Sequence, residues 1–285
     1  MRPIRGRAGD GINLMAGFAA AWLALREPVD AISRSSALTA ELRAWRTSLG
    51  PLSVLDVASG TGANLRYLAP QLSGEQRWCL VDHDAALMAC GHRMLQPWRV
   101  EQDLALSLEW RPLDLVKEWD SLDLPAFDLV TASAFMDLVS SAWLTRFTHR
   151  CRLWQATVLV ALSYDGTIRW QPALAEDARV CEWINRHQRT DKGFGPALGP
   201  NAVASLAFSL RELGYRVISQ PSPWRLEPTH AALQTALLEG WIEAVKFIAD
   251  DSLDWLDPWS AQRRRWIEQG ESYLQVGHQD VFGRL

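Results

Sequence analysis

The stretch "VLDVASGTGANLRYL", residues 54 to 68, sets Asp56 at the end of an apolar run, Gly60 and Gly62 directly after it, and a helix-like segment after those. Glycines between a strand and a helix let backbone amides come close to a ligand, the arrangement that receives nucleotides. A turn built for a dinucleotide needs a third glycine three positions on, and Leu65 stands there. Asp56, four residues ahead of Gly60, opposes a pyrophosphate. The turn therefore predicts a nucleoside that carries positive charge.

The elements around this turn follow from periodicity. From residue 52 onward, strand-like apolar runs alternate with helical patterns, the signature of βαβ units on a parallel sheet. Strands are expected at 53–57, 78–81, 106–110, 127–131 and 157–162, and two later ones at 216–219 and near 273–276. Helices are expected from Gly62, after Asp84 acting as an N-cap, and over 174–187, 201–213, 229–248 and 261–269. The carboxyl ends of the first five strands share one sheet edge, where open α/β sheets bind ligands. The acidic "ADDSLDWLDPW" reads as a solvated connector.

Composition narrows the partners. The chain has 285 residues, 48% of them hydrophobic, enough for one large α/β domain or one domain with an insertion. The formal net charge is −4 and no basic run exceeds Arg263-Arg264-Arg265, so nucleic acid is not an expected partner. Cys79, Cys90, Cys151 and Cys181 form no C-x-x-C pair, and Cys90 beside His92 lacks a second pair at ligand spacing, which predicts free thiols and no metal. "MRPIRGR" followed by "INLMAGFAAAWLAL" imitates a leader. However, Asp10 and Asn13 interrupt it, no small-residue cleavage site follows, and it is too short to span a bilayer. Ile12, Met15, Ala19, Trp22 and Leu23 recur at helical spacing, so an amphipathic helix in a cytoplasmic protein is expected.

The segment Asp56-Val-Ala-Ser-Gly60-Thr-Gly62 resembles the first motif of the class I S-adenosylmethionine-dependent methyltransferases, with Ala58 where the first glycine usually stands. An ordinary backbone conformation is expected at Ala58. The resemblance implies an α/β, three-layer Rossmann-like sandwich with a mainly parallel seven-stranded sheet whose last strand is antiparallel, plus a helical cap and insertions. It also implies S-adenosyl-L-methionine as cofactor. Asp56, Ala58, Ser59, Gly60, Gly62 and Asn64 would form the cofactor turn. Asp82, 20 residues beyond Gly62, with His83 beside it and Asp84 as its competitor, would hold the ribose hydroxyls, since a carboxylate accepts two hydrogen bonds at once. Asp114 and Leu115 would meet the adenine, and Ser133 the methionine moiety.

The acceptor side is read from fewer signals. Asp137 follows the fourth strand where this family often faces its acceptor, and the same carboxylate also suits a helix start. Tyr164-Asp165 would end the fifth strand at the sheet edge, though Asp-Gly is ordinary turn chemistry. His187 shares a helix face with Val180, Trp183 and Ile184, which fits a packed histidine as well as a base; His230 and His278 have weaker claims. Arg189 and Lys192 stand in the loop "HQRTDKGFGPALGP", where basic side chains and free amides suit a carboxylate or phosphate. Arg26, in a cluster with Glu27, Asp30 and Arg34, belongs to a helix suited to cover the cofactor. Of 15 tryptophans, Trp170 and Trp224 are candidates for an aromatic acceptor pocket.

These readings divide the chain into a helical cap (1–48), a cofactor-binding core (49–165), an acceptor-side insertion (166–200) and a segment completing the sheet (201–285). The expected activity is methyl transfer to oxygen or nitrogen of a small molecule, with Asp137, Tyr164, Asp165 and His187 as catalytic candidates and Arg26, Arg189 and Lys192 as substrate-binding ones. A macromolecular acceptor and a non-catalytic S-adenosylmethionine-binding protein are the alternatives. No membrane partner is expected, and a homodimer is left open.

Overall fold

The computed structural model describes residues 8–48, 50–102, 104–121, 124–249 and 252–285, with side chains from residue 20 onward. Ile12, Met15 and Ala19 of the expected amphipathic face, and the leader-like "MRPIRGR", lie outside the described side chains.

Two helices lead the chain, α1 (Ala8–Ser33) and α2 (Ser36–Arg46). The Ser35 hydroxyl accepts from the Leu38 amide at 3.3 Å and so starts α2, which buries Leu38 and Leu42 one turn apart. A βα alternation follows: β1 (Leu52–Val57), α3 (Ala63–Leu68), β2 (Gln76–Asp82), α4 (Ala85–Gln102), β3 (Leu106–Pro112), β4 (Leu129–Ser133), α5 (Ser141–Leu153) and β5 (Thr157–Gln171). Asp84 caps α4 as expected, accepting from the Ala86 and Leu87 amides at 2.9 and 3.0 Å. The chain closes with α6 (Asp177–Gln188), α7 (Ala202–Glu212), β6 (Arg216–Pro221), β7 (Trp224–Leu226), α8 (Ala231–Ile248), α9 (Leu256–Gln269) and β8 (Tyr273–Arg284).

The sheet runs β3-β2-β1-β4-β5-β8-β6. β3, β2, β1, β4 and β5 are parallel, and β8 lies antiparallel between β5 and β6. This is a three-layer Rossmann-like α/β sandwich. It has eight strands rather than the expected seven, because the short β7 also pairs with β8.

Alternation along the strands sorts the core. Leu55, Val57, Val130 and Val158 face α5 and α7 with Trp143, Phe147 and Leu206, whereas Val54, Leu80, Leu129 and Leu159 face α2 to α4 with Leu42, Leu65 and Leu95. Gly91 lets α4 close onto the turn after β1, since a Cβ there would lie 2.6 Å from the Thr61 carbonyl.

Two readings are corrected. Asp165-Gly166 does not end the fifth strand: β5 absorbs the pair as an irregularity opposite β8 and continues to Gln171. The Asp165 carboxylate accepts from the Thr167 amide and hydroxyl at 2.9 and 2.7 Å, so the turn chemistry is satisfied inside the strand. The segment expected to be a solvated connector (Asp250 and Asp251 lie outside the described residues) becomes α9 from Leu256, and buries Leu256 and Trp259. Both changes serve one core. The far halves of β5 and β8, with β7, α6, α8 and α9, enclose Trp170, Trp183, Trp224 and Trp259. That packing accounts for much of the tryptophan, and Trp170 and Trp224 are core residues rather than cavity walls.

Candidate active site

The carboxyl ends of β1 to β4 open onto a single cavity of about 710 Å³, roofed by α1 and closed on one side by the loop after α6. Its volume falls within the range of about 300–1,000 Å³ usual for small-molecule sites. Ala58, Ser59, Gly60 and Asn64 line it after β1, Asp82 and His83 after β2, Asp114 and Leu115 after β3, and Ser133 after β4. Arg26 and Lys192 line it from the roof and the loop. The family resemblance named nine of these eleven candidates, and the charged cluster and the Gly/Pro loop supplied Arg26 and Lys192.

The floor is a strained turn. Ala58 has φ 54, so the expectation of an ordinary conformation there is overturned; Gly60 (φ 52) and Gly62 (φ 79) are left-handed as well. Ala134, after β4, has φ 52. A left-handed alanine costs about 1–2 kcal/mol, so the strand ends carry strain where they face the cavity. At Gly60 a Cβ would project to 3.1 Å from Leu23 of α1, which makes the glycine a clearance between floor and roof. Gly62 instead faces Leu95 and Trp110, away from the cavity.

Asp82 is nearly buried and holds this turn in place: Oδ2 accepts from the Gly60 amide at 2.8 Å and Oδ1 from the Asp84 amide at 2.9 Å. Each oxygen keeps further acceptor capacity. Asp114 is less free. Its carboxylate caps the Val116 and Lys117 amides and pairs with Lys117 Nζ at 2.7 Å, and this hydrogen bond holds its pKa below the ordinary value.

Asp56 does not reach the cavity wall. It is fully buried behind Asn64, whose Nδ2 donates to its Oδ1 at 2.8 Å and to Thr131 at 3.1 Å. Its Oδ2 finds no hydrogen-bond partner among the described residues. Burial lifts Asp56 to about 7, against the Asn64 hydrogen bond and the Arg34 charge. Arg34 Nη1 donates to Asn64 Oδ1 at 2.9 Å, and the guanidinium lies 4.5 Å over the Tyr67 ring. A chain Arg34–Asn64–Asp56 thus runs from roof to sheet. Asp280 of β8 anchors its outer end, accepting from the Ser35 amide at 2.9 Å and the Leu162 amide at 2.8 Å, with Arg34 Nε at 3.7 Å. Arg34, Tyr67 and the apolar Phe135, Leu138 and Phe194 were not singled out as site residues from sequence, apart from Arg34 within its charged cluster.

The remaining candidates stand apart from the cavity wall. Asp137 is buried in the turn after β4; burial raises it to about 6, against backbone hydrogen bonds from its own turn and Tyr164 and the charges of Arg26 and Lys192. Tyr164 is buried mid-strand, donating to Asn185 Oδ1 at 2.9 Å, and burial pushes its pKa up. Asp165 serves the β5 irregularity. His187 packs at the end of α6 against Phe247, with Lys192 Nζ 3.4 Å from its ring; burial and that charge lower its pKa. Arg189 donates to the Asn185 carbonyl and is exposed. His230 closes a turn through the Glu227 amide, and His278 is buried against Trp224. Among the described residues no group of three potential metal ligands occurs, and no helix is long and apolar enough to cross a membrane.

No family model and no curated protein matches the chain. Solved structures to which it is similar include a cyclopropane synthase from Mycobacterium tuberculosis, 15% identical over 86% of this chain and 82% of that one, with a TM-score of 0.45. A SAM-dependent methyltransferase from Geobacter sulfurreducens, solved with S-adenosyl-L-homocysteine, is 15% identical over 88% and 91%, TM-score 0.43. The YcgJ protein of Bacillus subtilis is 11% identical over 86% and 97%, TM-score 0.48.

Proposed function

We propose that this chain is an S-adenosylmethionine-dependent methyltransferase acting on oxygen or nitrogen of a small-molecule acceptor. The observation that carries this reading is the single cavity onto which four successive parallel strand ends open, with Asp82 held by the Gly60 amide and Asn64 set over a buried Asp56. S-adenosylmethionine supplies an electrophilic methyl on a sulfonium centre.

The residues present fit such a guest. Gly60 leaves clearance that a side chain would fill, the acids favour hydroxyls and positive charge over a pyrophosphate, and the orphaned Asp56 Oδ2 lowers the potential under the floor. Asp82 would accept the ribose hydroxyls, Leu115 and Val116 would flank the base, and Ser133 and Ala134 would border the reacting end. The protein's task is to hold the acceptor in line and exclude water. Leu23 of the roof and Phe135, Leu138 and Phe194 of the wall supply that dry enclosure.

Calorimetry with S-adenosylmethionine and S-adenosylhomocysteine tests the donor, and S-adenosylhomocysteine release over a panel of hydroxylated and amino metabolites tests the reaction. Binding of both nucleosides, lost in Asp82→Ala, is expected. Failure of either to bind sinks the reading.

A further inference from the structure

Four cations line the cavity, and three are already matched. Arg26 Nε donates to Asp30 at 2.8 Å, Arg66 Nε to Glu27 at 2.6 Å, and Arg34 is held by Asn64 and Asp280. Lys192 is different: it makes no ion pair among the described residues, its Nζ lies 3.4 and 3.5 Å from the His187 ring nitrogens, and buried Asp137 acts on it through charge alone. Half-buried, it lines the same cavity as Phe135, Leu138 and Phe194. Phe194 packs edge-on against Phe135, with ring centroids 5.4 Å apart, so this wall is preformed and apolar.

In the loop that carries Lys192, two amides are spent on the loop's own turn. Asp191 Oδ1 accepts from the Gly193 amide at 2.7 Å and from the Gly195 amide at 3.0 Å. Of the amides expected to be free for a carboxylate or phosphate, those of Gly193 and Gly195 are therefore taken. Of the loop's two basic side chains, Arg189 turns back to the Asn185 carbonyl, and Lys192 is the one that lines the cavity with the apolar wall. A phosphate dianion gathers several donors, whereas one lysine on a greasy wall matches a singly charged carboxylate on an apolar or aromatic body.

We infer that the acceptor is a monocarboxylic acid with an apolar or aromatic body, its carboxylate read by Lys192 and its body lying on Phe135, Leu138 and Phe194. This rests on the methyl-transfer reading for the other half of the cavity. An acid there also balances the positive charge of the donor.

The test uses the whole protein saturated with S-adenosylhomocysteine and follows benzoate, benzamide and phenyl phosphate by calorimetry. Benzoate is expected to bind at least about tenfold more tightly than benzamide, an advantage lost in Lys192→Met and largely kept in Lys192→Arg. S-adenosylhomocysteine affinity in Lys192→Met should match the parent, which reports that the variant is folded. Absent benzoate binding, equal binding of benzamide, or an advantage surviving in Lys192→Met overturns the inference. So does tighter binding of phenyl phosphate than of benzoate, or a Lys192→Arg variant no better than Lys192→Met, which would show that positive charge at this position does not carry the preference. If S-adenosylhomocysteine does not bind, the methyl-transfer reading falls on its own, and the benzoate comparison on the free protein still decides the site.

Discussion

Proton release on donor binding should separate S-adenosylmethionine from its product, and Asp56 is the group that does it. With its pKa lifted to about 7 by burial, Asp56 is about half protonated at pH 7. S-adenosylmethionine brings a net positive charge that S-adenosylhomocysteine lacks. A nearby opposite charge lowers a carboxyl's pKa by about 1–3, and taking the middle of that range moves Asp56 to about 5 and expels roughly 0.5 proton. Because the bound state holds fewer protons, affinity must rise with pH between about 5 and 7, by up to about 100-fold, and level off above. Asp137, at about 6, is only about one-tenth protonated at pH 7 and can add little. The assay is calorimetry at pH 7 in phosphate and in Tris, where the slope of apparent enthalpy against buffer ionisation enthalpy counts protons. A release of roughly 0.5 is expected for S-adenosylmethionine, less for S-adenosylhomocysteine, and near zero for Asp56→Asn. A parent protein that binds S-adenosylmethionine without buffer dependence, or an Asp56→Asn variant that still releases the proton, would refute the assignment.

Stability should report the same carboxyl. A buried acid raised to about 7 favours folding below about 4 and loses that contribution as pH climbs to about 7, on the order of 4 kcal/mol. His278, held near 3 by burial, acts oppositely and loses stability as pH falls below about 6.5. Urea melts of Asp56→Asn should therefore show steeper acid destabilisation than the parent; parallel pH profiles would exclude the coupling. Ala58→Gly should raise the unfolding free energy by up to about 1 kcal/mol by relieving the left-handed alanine, read as a higher urea midpoint, and an unchanged or lowered midpoint would show that the strain is compensated. Arg263 is buried with Asp177 Oδ1 at 2.5 Å, and Arg263→Met should cost about 1–3 kcal/mol, because the carboxylate loses its charge partner but keeps Trp259 Nε1 and the Leu174 amide, measured by thermal unfolding.

What the sequence made legible was local. The two glycines after β1 and the Asp84 cap depend on neighbours within a few residues, and their chemistry is written in the residue types. The seat of Asp56 depends on Asn64 and on Arg34 beyond it, and the left-handed Ala58 on a turn tied to Asp82 across the sheet. Such partners have no spacing signature. The length of β5 was hidden for a similar reason: Asp-Gly reads as a turn unless a long antiparallel partner, β8, is present to carry the strand through it. Tyr164 and Asp165 were displaced from the site by that extension alone.

The Asp280 anchor also constrains the order in which this molecule can assemble. The roof helix is fastened to the sheet through Ser35 and Arg34 by a residue 245 positions later in the chain than Ser35. Sequence separation on that scale makes a contact slow to form. The strand ends from Ala58 to Ala134 can therefore be in register while α1 and α2 are still undocked. Until β8 slots between β5 and β6, the Ser35 and Leu162 amides and Arg34 lack the Asp280 carboxylate that ties the roof to the sheet.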